Sequence, residues 1–343
     1  MNKAQNILNL NPSLVLIPST GKTGELDSII PQDGSGDFTV SRNGNATFFD
    51  KNGILRTALP NQPRLDFDPL TGEFRGVLVE PAATNVLLNS ETPATQTLLM
   101  TAAQRTISFY GSGTVTLSGA FSETITGNAN PLIRTTFTFT PTDTNLTITP
   151  SGNVTRWQLE TGSVATSYTP TQGSQVTRPA DVITRTNAQD LIGQTEGSLY
   201  IEFDRTNLVE GLKHLFSIES NVVGQFNSIN INTSNNMVNI QFHITVGGVS
   251  QGFILATPVS GRNKLLFRYS LTQGNARLFL NGVLISGTIP LSTLPFLDKI
   301  ALLSRFNPVA NFLQDRFYNS HVQQAAVFKR VLTDAEAMAL TTL

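Results

Sequence analysis

The amino-acid sequence predicts an all-β protein, and two observations lead to this prediction. Charged residues make up 14% of the 343 residues, well below the roughly 25% of an average soluble domain. Short runs of alternating apolar and polar residues recur along the chain, separated by Gly, Pro and Asn, as in half-buried strands joined by turns. We expect an N-terminal segment of extended chain and hairpins, a small middle β-sandwich, and a C-terminal β-sandwich that ends in one short helix.

The N-terminal segment, residues 1–90, is punctuated by turn signals and prolines. Asn43-Gly44 and Asn52-Gly53 each supply the positive φ that tight hairpins need, and they separate short apolar runs. The prolines of this segment exclude a long helix. Because such a segment buries little apolar surface alone, we expect partner chains to stabilise it.

The middle segment, residues 91–186, is predicted to be a second unit. Its strands are short, evenly spaced and rich in Thr, which favours a small sandwich. The stretch Tyr168–Ala180 contains Pro, Thr and Gln and is interpreted as the linker into the last unit. The predicted strands are Thr106–Tyr110, Thr114–Ser118, Thr135–Phe139 and Asn145–Thr149.

The C-terminal segment, residues 187–343, contains longer strands and is expected to fold alone. Alternate residues from Leu199 to Phe203 share one face of the strand, which we predict to lie in the core. The residues between them share the other face, which we predict to be exposed to solvent. Asn281-Gly282 predicts a tight hairpin. Near the end, Thr333-Asp-Ala-Glu336 is a capping box that opens the one helix we expect.

Net charge and cysteine content exclude several kinds of partner and cofactor. The formal net charge is -1, so we expect no nucleic-acid partner. The chain has no cysteine, which excludes disulfides and thiolate metal sites. Its apolar runs are too short for a signal-peptide core or a membrane span. We therefore expect a protein that is made in the cytosol and is not inserted in a membrane.

Several stretches of the chain resemble one family. Pro63-Arg-Leu-Asp-Phe-Asp68 and Gly76-Val-Leu-Val-Glu-Pro-Ala-Ala-Thr-Asn-Val-Leu-Leu88 resemble a segment of bacteriophage head spike or head fibre proteins and of some tail fibres. Residues 157–171, which begin Trp157-Gln-Leu-Glu160, and Val176-Thr-Arg-Pro-Ala-Asp181 are similar to what ends the middle sandwich in those proteins. Together with the residues between them, these stretches span about a third of the chain.

The last segment is similar to concanavalin A-like, laminin-G-type sandwiches. Phe267-Arg-Tyr-Ser270, Ala276–Ile285 and Val327–Glu336 are the stretches that support this resemblance. Phe317-Tyr-Asn-Ser320 departs from the glycine that the family has before its final strand. The resemblance implies a jelly-roll sandwich, and it leaves open whether the rim binds a calcium ion or a sugar.

These resemblances imply a non-enzymatic structural protein of the virion, a head spike or head fibre with a lectin-like C-terminal domain that faces outward. Residues 1–90 would attach it to capsid or tail proteins or to sister chains, and the family implies a homotrimer. It would be made in the host cytoplasm and released by lysis. The alternatives are a tail fibre, a free glycan-binding lectin module and, from a third class, a glycoside hydrolase.

Loops at one end of the C-terminal sandwich form the predicted site for host-surface polysaccharide. Asn221–Gln225, Thr233–Asn236 and Arg305–Gln314 carry amide and guanidinium donors near aromatic rings, a mixture suited to sugar hydroxyls. The alternative is that the phenylalanines plug the end of the sandwich. No cofactor is expected. The candidate glycan-binding residues are Arg305, Phe306, Phe312 and Gln314.

A hydrolase would need paired carboxylates, and Glu202 and Asp204 on one predicted strand imitate such a pair. The third position of the glucanase pattern is Asn207, so the general acid is missing. The three histidines have no second histidine at metal-ligand spacing. We therefore expect neither a catalytic residue nor a zinc site.

Overall fold

Two nine-stranded antiparallel sheets form the largest part of the fold. The residues that the structure describes are mostly strand and turn, with one short helix near each end of the chain, which confirms the predicted all-β class. No helix in the part of the chain described is long and apolar enough to cross a membrane. The computed structural model describes residues 3–19, 21–205, 213–220, 227–233, 239–307, 313–315 and 318–343.

The elements are numbered in chain order. Those of the first segment are α1 (Lys3–Leu8), β1 (Leu14–Leu16), β2 (Gly21–Lys22), β3 (Glu25–Leu26), β4 (Phe38–Ser41), β5 (Ala46–Phe49), β6 (Leu55–Ala58), β7 (Leu65–Phe67), β8 (Phe74–Val79) and β9 (Ala83–Asn85). Those of the middle segment are β10 (Gln96–Leu99), β11 (Arg105–Tyr110), β12 (Thr114–Gly119), β13 (Glu123–Thr126), β14 (Thr135–Phe139), β15 (Asn145–Ser151), β16 (Thr155–Thr161), β17 (Val176–Arg178) and β18 (Val182–Arg185).

The last segment holds the longest strands and the second helix. They are β19 (Glu196–Arg205), β20 (His214–Glu219), β21 (Ser228–Thr233), β22 (Ile240–Val246), β23 (Val249–Ala256), β24 (Gly261–Ser270), β25 (Asn275–Leu280), β26 (Val283–Leu284), β27 (Ile289–Pro290), β28 (Lys299–Leu302), β29 (Arg305–Asn307), β30 (Leu313–Asp315), β31 (Ser320–Phe328) and α2 (Asp334–Thr341).

The two large sheets pack face to face around one core. The first sheet has the order β26-β25-β24-β19-β31-β8-β7, with β1 also paired to β31 and β27 to β25. The second sheet has the order β2-β3-β4-β18-β28-β20-β21-β22-β23. Alternate apolar residues meet between them, from Leu199 to Phe203 in β19 and from Ile240 to Ile244 in β22. The predicted C-terminal sandwich and its core face are thereby confirmed.

Strands from the first 90 residues are built into both large sheets. β1 and β8 pair with the same edge of β31, where Leu14 lies opposite Val327 and Val79 lies opposite Ser320. β4 pairs with β18, which in turn pairs with β28. The prediction of a separate attachment segment at residues 1–90 does not describe this arrangement. These residues complete the sandwich, because β31 and β18 would otherwise each present an unpaired edge.

Both helices cover the outer face of the first sheet. Ile7 of α1 and Leu340 of α2 belong to one apolar cluster with Tyr200, Leu266 and Phe328 of the sheet. The prediction that this face of β19 is exposed to solvent is therefore wrong at Tyr200, which lies under the helices. Helix α1 was not predicted, because six residues are too few to show a helical period.

Helix α2 begins at the predicted capping box. The Thr333 side chain accepts from the backbone N–H of Glu336, and the Glu336 carboxylate accepts from the backbone N–H of Thr333. The hydrogen bond from Arg330 lowers the pKa of Glu336 to about 2. This prediction is confirmed because every contact in the cap lies within a few residues.

The middle sandwich is an insertion in the large one. Its two sheets, β10-β15-β12-β13 and β14-β11-β16, enclose a separate core around the fully buried Trp157. The chain leaves the large sandwich after β9 and returns in β17, and these two strands pair, with Asn85 opposite Val176. The predicted small sandwich and its four strands are confirmed.

The return segment, Tyr168–Ala180, is packed against its surroundings at both ends, whereas its residues 172–177 are exposed. Tyr168 and Thr171 are buried, and the hydroxyl groups of Tyr168 and Ser90 lie 2.6 Å apart. Burial raises the pKa of Tyr168. The interpretation of this stretch as a linker followed its composition, which does not reveal that β17 pairs with β9.

Two of the three Asn-Gly signals mark turns between paired strands. At Asn281-Gly282 both residues have positive φ, 50° and 83°, and Leu280 pairs with Val283, so the predicted hairpin is confirmed. Asn52-Gly53 lies in the loop that joins the paired strands β5 and β6. Asn43-Gly44 does not close a hairpin, since β4 pairs with β3 and β18 instead of β5.

Five charged side chains form a buried cluster where the insertion joins the large sandwich. Arg64 donates to Glu80 at 2.8 Å and also to Asp181, and Arg42 donates to Asp181 at 2.8 Å. Arg178 lies 3.4 Å from Glu80. Four of the five, all but Arg42, belong to the stretches that resemble phage proteins. Those stretches therefore encode this junction.

The ion cluster makes part of the stability sensitive to acid. Burial alone would raise the pKa of Glu80, but Arg178 and Arg64 lower it from 4.5 to about 2. A carboxyl with a lowered folded-state pKa stabilises the fold above its unfolded-state pKa and loses that contribution as the pH falls through the folded-state value. We expect this group to contribute on the order of 3 kcal/mol, lost between pH 4.5 and pH 2.

Urea titrations across this pH window measure the effect. The free energy of unfolding of Glu80→Gln should fall less steeply with acid than that of the wild type, because glutamine does not titrate. Equal slopes for the two proteins would contradict the assignment.

Candidate functional site

The outer face of the second large sheet carries a row of polar side chains. Ser217 of β20, Asn230 of β21 and His243 of β22 are paired directly across the strands. On the edge strand β23, Phe253 is paired with His243. The residues that alternate with these belong to the core, so this row faces away from it. The β20–β23 face is defined as Ser217, Asn230, Asn232, Gln241, His243 and Phe253.

Hydrogen bonds between side chains order the buried half of the β20–β23 face. Ser217, Asn230 and Asn232 are almost fully buried. His214 Nδ1 lies 2.9 Å from Ser217 Oγ, and Asn232 Nδ2 donates to Asn230 Oδ1 at 2.5 Å. Asn232 Oδ1 is buried and has no hydrogen-bond partner among the residues described. The face therefore keeps one ordered amide oxygen that can accept a further hydrogen bond.

The other half of the β20–β23 face, on β22 and β23, is open to solvent. The Phe253 side chain is 58% exposed. Beside it, His243 Nε2 lies 2.8 Å from Ser250 Oγ. Burial lowers the pKa of His243, so its ring is neutral near pH 7. An exposed aromatic ring next to neutral hydrogen-bonding groups suits a ligand with an apolar face and a polar rim.

The predicted glycan-binding residues that the structure describes lie in the separate two-stranded sheet β29–β30. Arg305 and Phe306 open β29, and both side chains are more than nine-tenths buried. Gln314 lies in β30, opposite Phe306 in the register. Phe312 lies outside the described residues, as do Asn221–Gln225. Burial of Phe306 agrees with the packing alternative, and glycan contact by these four residues stays a prediction.

Phe306 packs over one end of the outer face of the second sheet. Its backbone N–H donates to Glu219 Oε1 at 3.2 Å, and Lys299 Nζ lies 5.0 Å from its ring centroid. Glu219 and Lys299 are paired across β20 and β28. Burial lowers the pKa of Lys299, and Asp298 and Glu219 act against that shift. The Phe306 end of the outer face is thus covered, whereas the Phe253 end is exposed.

The carboxylate considered for hydrolysis is engaged within the protein. Glu202 is fully buried and forms an ion pair with Arg262, and the Tyr200 hydroxyl donates to it at 3.3 Å. Asp204 lies farther along the same strand, and Asn207 lies outside the described residues. The Glu202 carboxylate is thus occupied by contacts within the protein and is closed off from a substrate. We assign no catalytic role to this pair.

Acidic residues near the start of the chain form a compact group. The carboxylates of Glu25, Asp27 and Asp37 lie within 4.8 Å of one another. Lys22 pairs with Glu25 at 2.8 Å, and Asp37 accepts from the backbone N–H of Ser28 at 2.6 Å. These contacts partly satisfy the carboxylates within the protein.

Sequence reasoning did not single out the β20–β23 face. Its members come from four strands, and only the pairing register brings them together. The local signal was the alternation in Ser228–Thr233, where the isoleucines face the core and Asn230 and Asn232 face outward. Chemically, the face can donate to and accept from hydroxyl groups through neutral side chains.

Comparisons with known proteins give distant structural likenesses. No protein-family model and no curated protein matches the sequence. The CBM40 domain of the Ruminococcus gnavus IT-sialidase, bound to α2,3-sialyllactose, is 20% identical over 44% of this chain and 84% of its own, with a TM-score of 0.37. The leech intramolecular trans-sialidase is 18% identical over 46% of this chain and 24% of its own, with a TM-score of 0.37.

A third likeness is to a toxin domain. The binding domain of botulinum neurotoxin DC, in complex with rat synaptotagmin II, is 13% identical over 47% of this chain and 39% of its own, with a TM-score of 0.35. Likenesses at this level of identity and superposition give no conclusion about the ligand or activity of this chain.

Proposed function

We propose that this chain is a structural protein of a bacteriophage particle, a homotrimeric head spike or fibre, and that its β20–β23 face binds host-surface glycans. It acts by binding and has no catalytic role. The particle role rests on the resemblance of residues 63–88 and 157–181 to phage spike and fibre proteins. The observation that supports glycan binding is the exposed Phe253 ring paired with the neutral His243.

The resemblance gains weight from where its residues meet. Arg64, Glu80, Arg178 and Asp181 come from three separate stretches of the sequence and form one buried ion cluster. Because the matching residues meet in one buried cluster, they favour a real relationship over a chance similarity of sequence. This supports the link to phage proteins and does not depend on the glycan site.

The β20–β23 face fits the chemistry of a sugar ring. A sugar has an apolar face of C–H groups, which an aromatic ring can cover, and a rim of hydroxyl groups that both donate and accept. Phe253 supplies the ring, and His243 and Gln241 lie on the same face. The amide oxygen of Asn232 accepts from a hydroxyl. Because these groups are neutral, the face suits uncharged glycans.

Removing the aromatic platform should weaken glycan binding. Phe253→Ala is expected to lower the affinity about tenfold, since an aromatic contact contributes roughly 0.5–1.5 kcal/mol beyond its buried area. The glycan is first selected on an array with the full-length chain, and the dissociation constants of wild type and variant are then measured by titration.

Phe296→Ala is the matched control. Phe296 is 59% exposed, like Phe253, but it lies outside β20–β23, so its removal should leave the affinity unchanged. Equal losses of affinity in the two variants would show that the assay detects nonspecific binding. No affinity for any glycan on the array would remove the binding proposal.

The particle role is tested separately by immunogold electron microscopy of purified phage with an antibody against this chain. Label at the capsid supports a head spike or fibre, and label at the tail supports a tail fibre.

Two other results would favour the alternative functions. Glycan binding without any label on particles would point to a free lectin module. Release of reducing sugar that Glu202→Gln abolishes would favour the hydrolase.

A further inference from the structure

A separate cleft lies where the inserted sandwich meets the large one. Its volume is about 330 Å³, within the range of small-molecule sites. The hairpin β5–β6, the turn after β7, the loop before β14, the return segment and the start of β31 all contribute to its lining. None of its lining residues belongs to the β20–β23 face.

Two buried side chains of this cleft each keep a polar atom without a partner among the described residues. Asn319 is 1% exposed and keeps its Oδ1, and His321 is 6% exposed and keeps its Nδ1. Buried polar atoms are rarely left unsatisfied in proteins. Two such atoms in the lining of one cleft therefore point to a ligand or ordered water that satisfies them.

The hydrogen-bonding character of His321 follows from its partner. Asp66 also lines the cleft, and its Oδ2 lies 2.8 Å from His321 Nε2, while its Oδ1 accepts from the backbone N–H of Phe49 at 2.7 Å. The carboxylate accepts, so His321 donates from Nε2, and Nδ1 of that tautomer is an acceptor. The cleft thus has two unsatisfied acceptors, and its ligand must donate.

Arg134 supplies an atom of the opposite kind. Its Nη atoms donate to the backbone oxygen of Thr166 and to Ser108 Oγ, the latter at 2.6 Å. Its buried Nε has no partner among the described residues. A ligand here is offered two acceptors and one donor, which is the pattern that several hydroxyl groups on one molecule can match.

The remaining lining is apolar or internally paired. Phe48 and Phe49 of β5 and Leu132 and Ile133 of the insertion line the cleft, and each is only partly buried. Asp68 and Arg75 form an ion pair of 2.5 Å, and Glu80 pairs with Arg64. The two other charged residues of the lining, Asp66 and Arg134, have opposite formal charges that offset each other. The cleft therefore favours a neutral ligand with one apolar face.

We propose that this cleft binds one neutral sugar residue. Its hydroxyl groups donate to Asn319 Oδ1 and His321 Nδ1 and accept from Arg134 Nε, and its apolar face lies against Phe48 and Phe49. The site is independent of the β20–β23 face and of the particle role.

Saturation-transfer NMR with the full-length chain tests the site, using glucose, galactose, mannose and N-acetylglucosamine as probes. At least one of the four should receive saturation from the wild type. Leu70 lines the cleft and is 52% exposed, so Leu70→Trp adds bulk without disturbing the core and should weaken that binding at least tenfold. Asn319→Ala should weaken it similarly, and Phe296→Ala, at an exposed ring outside both this cleft and the β20–β23 face, should leave it unchanged.

The variants separate the possible results. Leu70→Trp is first checked for an unchanged melting curve. It then tests whether the sugar binds in the cleft even if Asn319→Ala does not fold. The proposal is overturned if no probe binds the wild type, or if Leu70→Trp binds as well as the wild type. It is also overturned if Phe253→Ala abolishes the signal, because the sugar would then be on the β20–β23 face.

Discussion

Replacing Asp181 by alanine is expected to lower the free energy of unfolding by about 3–5 kcal/mol. Asp181 accepts from Arg42 at 2.8 Å and from Arg64, and its Oδ2 accepts from the backbone N–H of Glu80 at 3.0 Å. Its loss leaves the buried Arg42 without its counter-ion and leaves Arg64 with Glu80 alone. Burial already lowers the pKa of Arg42, and Asp181 is the group that opposes this shift. Urea unfolding followed by circular dichroism measures the change.

Glu25→Ala is the control for this experiment. Glu25 also pairs with a cation, but its partner Lys22 has a side chain that is 72% exposed, and exposed pairs contribute less than about 1 kcal/mol. If Asp181→Ala cost no more than Glu25→Ala, the buried cluster would not be what holds the insertion and the large sandwich together.

The parts of the fold that were predicted correctly are those made by contacts close in sequence. The Asn281-Gly282 hairpin and the Thr333 capping box each involve only a few neighbouring residues. By contrast, Leu14 pairs with Val327 near the other end of the chain. No local pattern records such a pairing, so the first 90 residues were taken for a separate segment.

The candidate site shows the same limit for side chains. A strand period of two tells which residues share a face, but it does not tell which face another element covers. Phe306 and Phe253 both stand in strands; Phe306 is covered and Phe253 is exposed. Glycan contact by Phe306 was predicted from the sequence, and the proposed site at Phe253 rests on its exposure in the structure.

A fragment of residues 187–343 is expected not to fold alone as a monomer, in contrast to the expectation from composition. It lacks β1 and β8, which pair with β31, and β18, which pairs with β28. Burying a large aliphatic or aromatic side chain contributes roughly 1.5–3 kcal/mol. The burial energy lost with the missing core residues therefore equals or exceeds the free energy of unfolding of a typical domain, which is about 5–15 kcal/mol. The missing core residues are Leu14, Leu16, Leu26, Phe38, Val40, Val77, Val79 and Ile183.

The matched deletion removes residues 86–175 and joins Asn85 to Val176 through an Asn-Gly turn. These two residues lie directly opposite each other, so a two-residue turn can close the strands, and the core between the large sheets stays whole. Calorimetry should show a cooperative transition at a lowered midpoint, because Ser167, which donates to Glu80, is lost. If instead the 187–343 fragment melted cooperatively and the deletion variant did not, the first 90 residues would be a detachable segment and the insertion a necessary part of the fold.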